Sequence, residues 1–356
     1  MFDLPPRPRV LVITLRRLGD VLLTTPLIRT LKTGLAGSSV DALVFRGTEG
    51  MLAGNPDLDA VHVMSQRPSP AEFLGAVWRL WRRYDLAVST QSGDRPVVLA
   101  FAAGRRRASF VPHAASWKRR LLDVALISES ENHRVPELLR ITDTIGLTAR
   151  PDLVCPAATP IRAPIPAGRY AVVHANPMFR IRQWTDAGWR ELARELAERG
   201  LTVIATGGPD PAERAYLDRV WQPSATPVVR LDGHLDWSEL VTLLRGAAVY
   251  VGPDTSMSHL AAATGTPTIA IYGPEGPHRI GPWPIGGLDQ RWAPAGTIQQ
   301  RGNAWVVQNP LHCLPCGKLG CEGHLESYSR CLDELSAAQV LTAVDQALAV
   351  RRTRAS

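Results

Sequence analysis

Residues 249–282, VYVGPDTSMSHLAAATGTPTIAIYGPEGPHRIGP, constrain what this chain can fold into more than any other stretch. Two short apolar runs, 249–251 and 268–272, are each followed by Gly-Pro, and the spacing predicts a helix over 256–263 between them. Parallel strands joined by a right-handed helical crossover bring the loops after both strands to one edge of the sheet, the edge at which open α/β folds bind ligands. That edge then carries Gly252, Asp254, Thr255, Ser256 and Gly273. The last three residues before the helix and at its start can offer hydroxyls and backbone N–H groups to an anion of diphosphate size, with the helix dipole in favour of negative charge. An ordinary N-cap accounts for Asp254 or Thr255 equally well.

The same alternation runs through the rest of the chain. An apolar run at 10–15, of the kind that forms a parallel strand buried on both faces, leads into Arg16-Arg17-Leu18-Gly19-Asp20 and a helix over 21–32. Strands follow at 40–44, 60–63, 86–89 and 108–111, with helices at 71–83, 97–103 and 136–145. Residues 148–168 then hold Pro151, Pro156, Pro160, Pro164 and Pro166, a density that neither a helix nor a central strand tolerates. After it the pattern restarts, with strands at 170–173, 202–206 and 228–231 and helices at 187–199, 211–220 and 238–245. The expected organisation is a doubly wound α/β domain over 1–150, a linker over 151–168, a second such domain over 169–335, and a C-terminal helix and tail over 336–356.

The chain has 356 residues and a formal net charge of +7, and the charge is unevenly spread. Residues 1–168 hold 22 Lys and Arg against 15 Asp and Glu, whereas the remainder holds 18 of each. The excess includes Arg16-Arg17, Arg105-Arg106-Arg107 and Lys118-Arg119-Arg120, which points the N-terminal half at something anionic: nucleic acid, a membrane surface or a phosphorylated glycolipid. No helix-turn-helix or RNA-binding aromatic pattern accompanies the basic runs, which argues against nucleic acid. No apolar run approaches the ~20 residues of a membrane span, and MFDLPPRPRV has no apolar signal core, so the expected location is cytoplasmic.

Three segments carry groups suited to chemistry. In LRRLGDVLLTTP, residues 15–26, Gly19 permits a tight turn and Asp20 opens the next helix, either as an N-cap or as a carboxylate at the ligand edge. In HANPMFRIRQW, residues 174–184, Arg180 and Arg182 follow a strand. Cys313, Cys316, Cys321 and Cys331 gather four of the five cysteines into 19 residues. Such a set either holds a tetrahedral zinc, with a tighter middle interval than common zinc ribbons, or packs as reduced thiols.

The run PDTSMSHLAAATGTPTIAIYGP resembles the D-[TS]-x-x-x-H-x-A-A-x-x-G-x-P-x-x-x-x-[FY]-G-P signature of the lipopolysaccharide heptosyltransferases, glycosyltransferase family 9. The GD motif at Gly19-Asp20 with Thr24, Thr25 and Pro26 is similar to the family's N-terminal signature, and the Cys-bearing tail is most like that of the heptosyltransferase III branch. The resemblance implies a GT-B fold, two Rossmann-like domains facing across a cleft, and inverting transfer of heptose from ADP-heptose to the lipopolysaccharide inner core. It casts Asp20 as general base. It assigns the donor to Arg182, Asp254, Thr255, Ser256, His259 and Gly273, with Arg180 as a further cation and Glu239 toward the ribose, although Glu239 also reads as a solvated helix residue and His259 as a core histidine. At position 182 the family usually has Lys, and Arg is not an automatic substitute. Arg16, Arg17, Arg105, Arg106, Lys118 and Arg119 would meet the acceptor's carboxylates and phosphates. Catalysis would need no cofactor, zinc being at most structural, and the enzyme would sit peripherally on the inner leaflet. The competing readings are another nucleotide-sugar enzyme on the same fold and a non-catalytic binder of anionic ligands.

Overall fold

The computed structural model describes residues 3–355, the last five of them by backbone alone. The chain separates into two compact units between Pro156 and Ala157, inside the proline-rich segment. Among the described residues the first unit builds a six-stranded sheet from β1 (Arg9–Thr14), β2 (Ser39–Phe45), β3 (Ala60–Met64), β4 (Tyr84–Ser89), β5 (Gly104–Val111) and β6 (Val124–Ile127), in the order β3-β2-β1-β4-β5-β6. Every pairing in it is parallel. The order reverses between β1 and β4, so the topological switch point lies beyond Thr14 and Ser89. Val10, Leu11, Val12 and Ile13 are buried, as expected of a central strand covered by helices on both faces.

The second unit builds a seven-stranded sheet from β7 (Tyr170–Val173), β8 (Thr202–Ala205), β9 (Val228–Arg230), β10 (Val249–Pro253), β11 (Thr268–Ile271), β12 (Ile298–Arg301) and β13 (Ala304–Val307), ordered β12-β13-β11-β10-β7-β8-β9. All neighbours are parallel except the β12–β13 hairpin, whose turn uses Gly302 at φ 54°. Its switch point lies between β7 and β10, beyond Val173 and Pro253. The C-terminal helix Ala337–Ala355 packs back on this unit, burying Val340, Ala343, Val344 and Ala347 with Trp189 and Leu192.

The structure departs from the sequence expectation in two ways. The helix expected over 21–32 is broken into Leu18–Leu22 and Thr25–Gly34. Pro26 has no N–H to continue the ladder and its ring would meet the carbonyl of Leu22, so it starts a new helix instead. The Thr24 and Thr25 hydroxyls donate to the carbonyls of Asp20 and Leu22 and close the break. The short strands β6, β12 and β13 were not among the expected elements; each has four residues, too few to reveal a period. No helix among the described residues is long and apolar enough to cross a membrane.

Candidate active site

In the first unit the switch-point edge is tied together before any side chain for chemistry is placed. Gln91 Oε1 accepts from the Leu15 N–H at 3.0 Å and its Nε2 donates to the Leu15 carbonyl at 2.9 Å, so its amide extends the sheet beyond β1. The Thr90 hydroxyl donates to the Ile13 carbonyl at 3.1 Å. Asp20 sits on the short helix that follows, only 9% exposed. Its Oδ1 lies 3.4 Å from Arg16 Nη1 and 3.6 Å from Arg134 Nε. Both contacts fall on one oxygen, and among the described residues Oδ2 has no partner. Oδ2 is thus the atom that can take a proton from an incoming hydroxyl while Oδ1 is held.

Arg134 was not anticipated from sequence. It begins the helix Arg134–Thr144, its Nη2 donates to the Thr90 carbonyl at 2.8 Å, and burial pulls its pKa down to about 10, against the pull of Asp20. It remains a cation at neutral pH, brought to Asp20 by the fold from 114 positions away in the sequence.

In the second unit the strand ends β7, β8, β10 and β11 present His174, Thr206-Gly207-Gly208, Asp254-Thr255 and Gly273 on one edge. His174 is buried, with Nδ1 3.1 Å from the Thr206 hydroxyl, and burial lowers its pKa, so the imidazole is neutral. Glu213, absent from the sequence expectations, accepts from the Gly208 N–H at 2.8 Å and acts electrostatically on His174. A Cβ on Gly208 would come 2.6 Å from its carboxylate, so a larger residue there would displace the Glu213 side chain. The repeated glycines at 207 and 208 and the acidic residue five positions on were the signal.

Asp254 is buried, and Arg182 binds it twice: Nη1 lies 3.1 Å from Oδ2 and donates to the Asp254 carbonyl at 3.2 Å. The helix Ser256–Ala263 begins directly after it, with Thr255 as N-cap but no side-chain cap hydrogen bond. The Thr255 Oγ1 is buried and caps none of the helix's first amides. The first amides of the helix are therefore left for another acceptor, beside a guanidinium. Ser256 is half-buried in the first turn, and Ser258 donates to the Pro253 carbonyl at 2.6 Å. His259 lies buried within the same helix. Gly273 has a packing reason, since a Cβ there would meet Leu332 at 2.8 Å.

Several expected residues stand elsewhere. Glu239, read from the sequence either as a ribose contact or as a solvated helix residue, is buried and engaged within its own unit: its Oε1 accepts from Arg162 N and Nε, and its Oε2 from Arg162 Nη2 and Asp236 N. Four donors fill its lone-pair positions. With Asp236 it forms the capping box of the helix Trp237–Gly246, and the Arg162 hydrogen bonds bring its pKa down to about 2. Arg180 is exposed and lines a cavity of about 320 Å³ with Thr185, Asp186, Arg219 and Asp333, whereas Arg182 is the one at Asp254.

Arg105 and Arg106 open β5, in register with the starts of β1 and β4, and so lie at the amino edge of the sheet, opposite Asp20. Lys118 is at the carboxyl edge but engaged by the Ser92 carbonyl and by Asp94 at 2.7 Å. Arg119 donates to the Ala125 carbonyl at 3.4 Å, and Arg17 precedes Asp20's helix. Cys331 is buried, and burial together with the neighbouring Cys316, Cys321 and Cys313 pushes its thiol up to about 12. The four thiols do gather, yet among the described residues no group of three or more His, Cys, Asp or Glu is placed to hold a metal ion.

The family model of Glycosyltransferase family 9 (heptosyltransferase) matches residues 156–286, which include the Asp254 edge. The chain is 26% identical over 275 residues to lipopolysaccharide heptosyltransferase 3 of Escherichia coli, covering 72% of this chain and 80% of that protein. The chain is thus similar to the family 9 glycosyltransferases. Among solved structures, a family 9 glycosyl transferase from Veillonella parvula aligns with TM-score 0.77 and 17% identity, covering 96% of this chain and 97% of that one. The Escherichia coli heptosyltransferase WaaC, solved with ADP, aligns with TM-score 0.70 and 21% identity over 95% of this chain and 99% of that one. These likenesses show that the chain has the GT-B fold, two doubly wound α/β units.

Proposed function

We propose that this glycosyltransferase moves heptose from ADP-heptose to the lipopolysaccharide inner core, with inversion at the anomeric carbon. The observation that carries the mechanism is the pinned carboxylate of Asp20 at the switch point of the first unit, one oxygen held by Arg16 and Arg134 and the other unpartnered. The identity of donor and acceptor is supported by the names of the relatives, and the presence of ADP in the WaaC structure fits the donor. The first unit takes the acceptor. Asp20 removes the proton of the acceptor hydroxyl as its oxygen bonds to the anomeric carbon, and the bond from that carbon to the diphosphate breaks. ADP departs with the electron pair. In the second unit, Arg182 and the open amides of the helix Ser256–Ala263 receive the charge that develops on it. Arg182 keeps the positive charge that the family usually supplies with Lys and adds a planar fork.

No step calls on a metal, so transfer proceeds in EDTA, at the cytoplasmic face of the inner membrane. The test is transfer to deacylated core acceptors from ADP-heptose and from UDP-sugars, for the wild-type protein and Asp20→Ala, with EDTA present. Transfer from ADP-heptose that survives EDTA and collapses in the variant supports the reading. Preference for a UDP-sugar overturns the donor, and an active Asp20→Ala overturns the base.

A further inference from the structure

The arginines at the amino edge of the first sheet have no role at Asp20, and they do not stand alone. The helix Pro70–Leu80 buries Ala76 and Leu80 against the sheet but turns Leu74 and Trp78 outward, four residues apart and so on one face. Leu74 is 57% exposed, Trp78 76% and Trp81, just past the helix end, 48%. Two tryptophans and a leucine this open on one element are costly in water unless something covers them. Around them lie Arg79, Arg82 and Arg83, and Arg82 reaches the Gly104 carbonyl, which leads directly into exposed Arg105, whereas Arg106 after it is paired with Asp123 at 3.4 Å. Among the described residues the Arg79, Arg83 and Arg105 side chains form no ion pair or hydrogen bond. Glu72, the acidic residue of this helix, lies in its first turn and is held by the Ser65 N–H at 2.9 Å.

We infer that this face, Leu74, Trp78 and Trp81 with Arg79, Arg82, Arg83 and Arg105 beside them, docks the protein on an anionic bilayer surface. The charge pattern selects that occupant. An indole has an apolar body and a single N–H donor, which suits the boundary between headgroups and acyl chains. Arginines beside it can lay their stems on the apolar surface while their heads meet lipid phosphates. An interface with another protein would gain from apolar residues, but unpaired guanidiniums around the rim would then need matching carboxylates.

The experiment is cosedimentation of the full chain with vesicles of phosphatidylglycerol and phosphatidylethanolamine, against vesicles of phosphatidylcholine. The wild type should bind the anionic vesicles, and more weakly as salt rises. Leu74→Ser/Trp78→Ser/Trp81→Ser should weaken binding at least about tenfold, and Arg79→Gln/Arg83→Gln about tenfold or more, from ~1 kcal/mol per basic residue. Thermal unfolding and transfer to a soluble deacylated acceptor should stay unchanged in both variants. Equal binding to both vesicle types, or unaltered binding by the triple variant, overturns the proposal. So does a wild-type dimer that the triple variant converts to monomer without a change in vesicle binding, since the occupant would then be a second copy. Failure of transfer to the soluble acceptor would sink the proposed reaction and leave the vesicle result standing, so the two can be told apart.

Discussion

The two edges of the first sheet are both rich in arginine, and the structure uses them in opposite ways. At the carboxyl edge, Arg134 is buried and turned on a buried carboxylate, with Arg16 on the same oxygen. At the amino edge, Arg79, Arg83 and Arg105 are exposed and stand beside exposed tryptophans. A charge taken from water and paired at fixed geometry orients a reacting group; one left in water attracts a partner through a screened, long-range field. Net charge counts both alike. Burial separates them.

That contrast can be broken most decisively at Asp20. Asp20→Ala should lower kcat about 10²–10⁴-fold in transfer to a soluble acceptor, the range for loss of a general base, with little change in melting temperature. A variant within a factor of two of the wild type would leave the carboxyl edge with no special standing. Next, Arg182→Ala should cost about 10²–10³ in kcat, as for removal of a group that stabilises developing charge, and Arg182→Lys should recover part of it. Single-turnover kinetics with saturating donor would distinguish this from a loss confined to KM.

A smaller effect of a different kind is expected at Glu239. Glu239→Gln should destabilise the protein by about 1–3 kcal/mol in denaturant unfolding at pH 7 while the folded enzyme keeps its KM for the donor. Because hydrogen bonds from Arg162 bring the folded-state pKa down to about 2 from an ordinary 4.5, this stabilisation is complete above pH 4.5. It fades as pH falls toward 2, so the gap between wild type and variant should close in acid. A raised donor KM with unchanged stability would restore the ribose role. The smallest effect is predicted for Arg105→Gln/Arg106→Gln, which should change transfer to a soluble acceptor by less than about twofold, as surface substitutions away from a site usually do. A large loss there would erase the distinction between the two edges.

The sites were legible to unequal depth. Asp20 and residues 254–256 were readable because each follows a strand in a pattern where the next element is a helix, and parallel topology then decides which edge they occupy. Arg134 was not, since a lone Arg before an apolar helix carries no signal until β4 is known to lie beside β1. The partners of Glu239 were not legible for a related reason: Asp236 three residues earlier spelled a capping box, but the donors from Arg162 come from the proline-rich segment 77 residues upstream.

By itself the sequence determined the alternation of strands and helices, the division near the proline-rich segment, the breaks at Gly and Pro, and the two motifs at strand ends. These rest on local matters: the period of apolar residues, fixed proline φ, and helix termini that need partners. Only the tertiary structure decided which arginine meets Asp20, which one meets Asp254, which carboxylate is saturated, and which basic run faces water beside exposed indoles. Those outcomes depend on the order of strands in each sheet and on what each side chain loses in solvation when its neighbours arrive. Neither quantity is a property of any short stretch of chain.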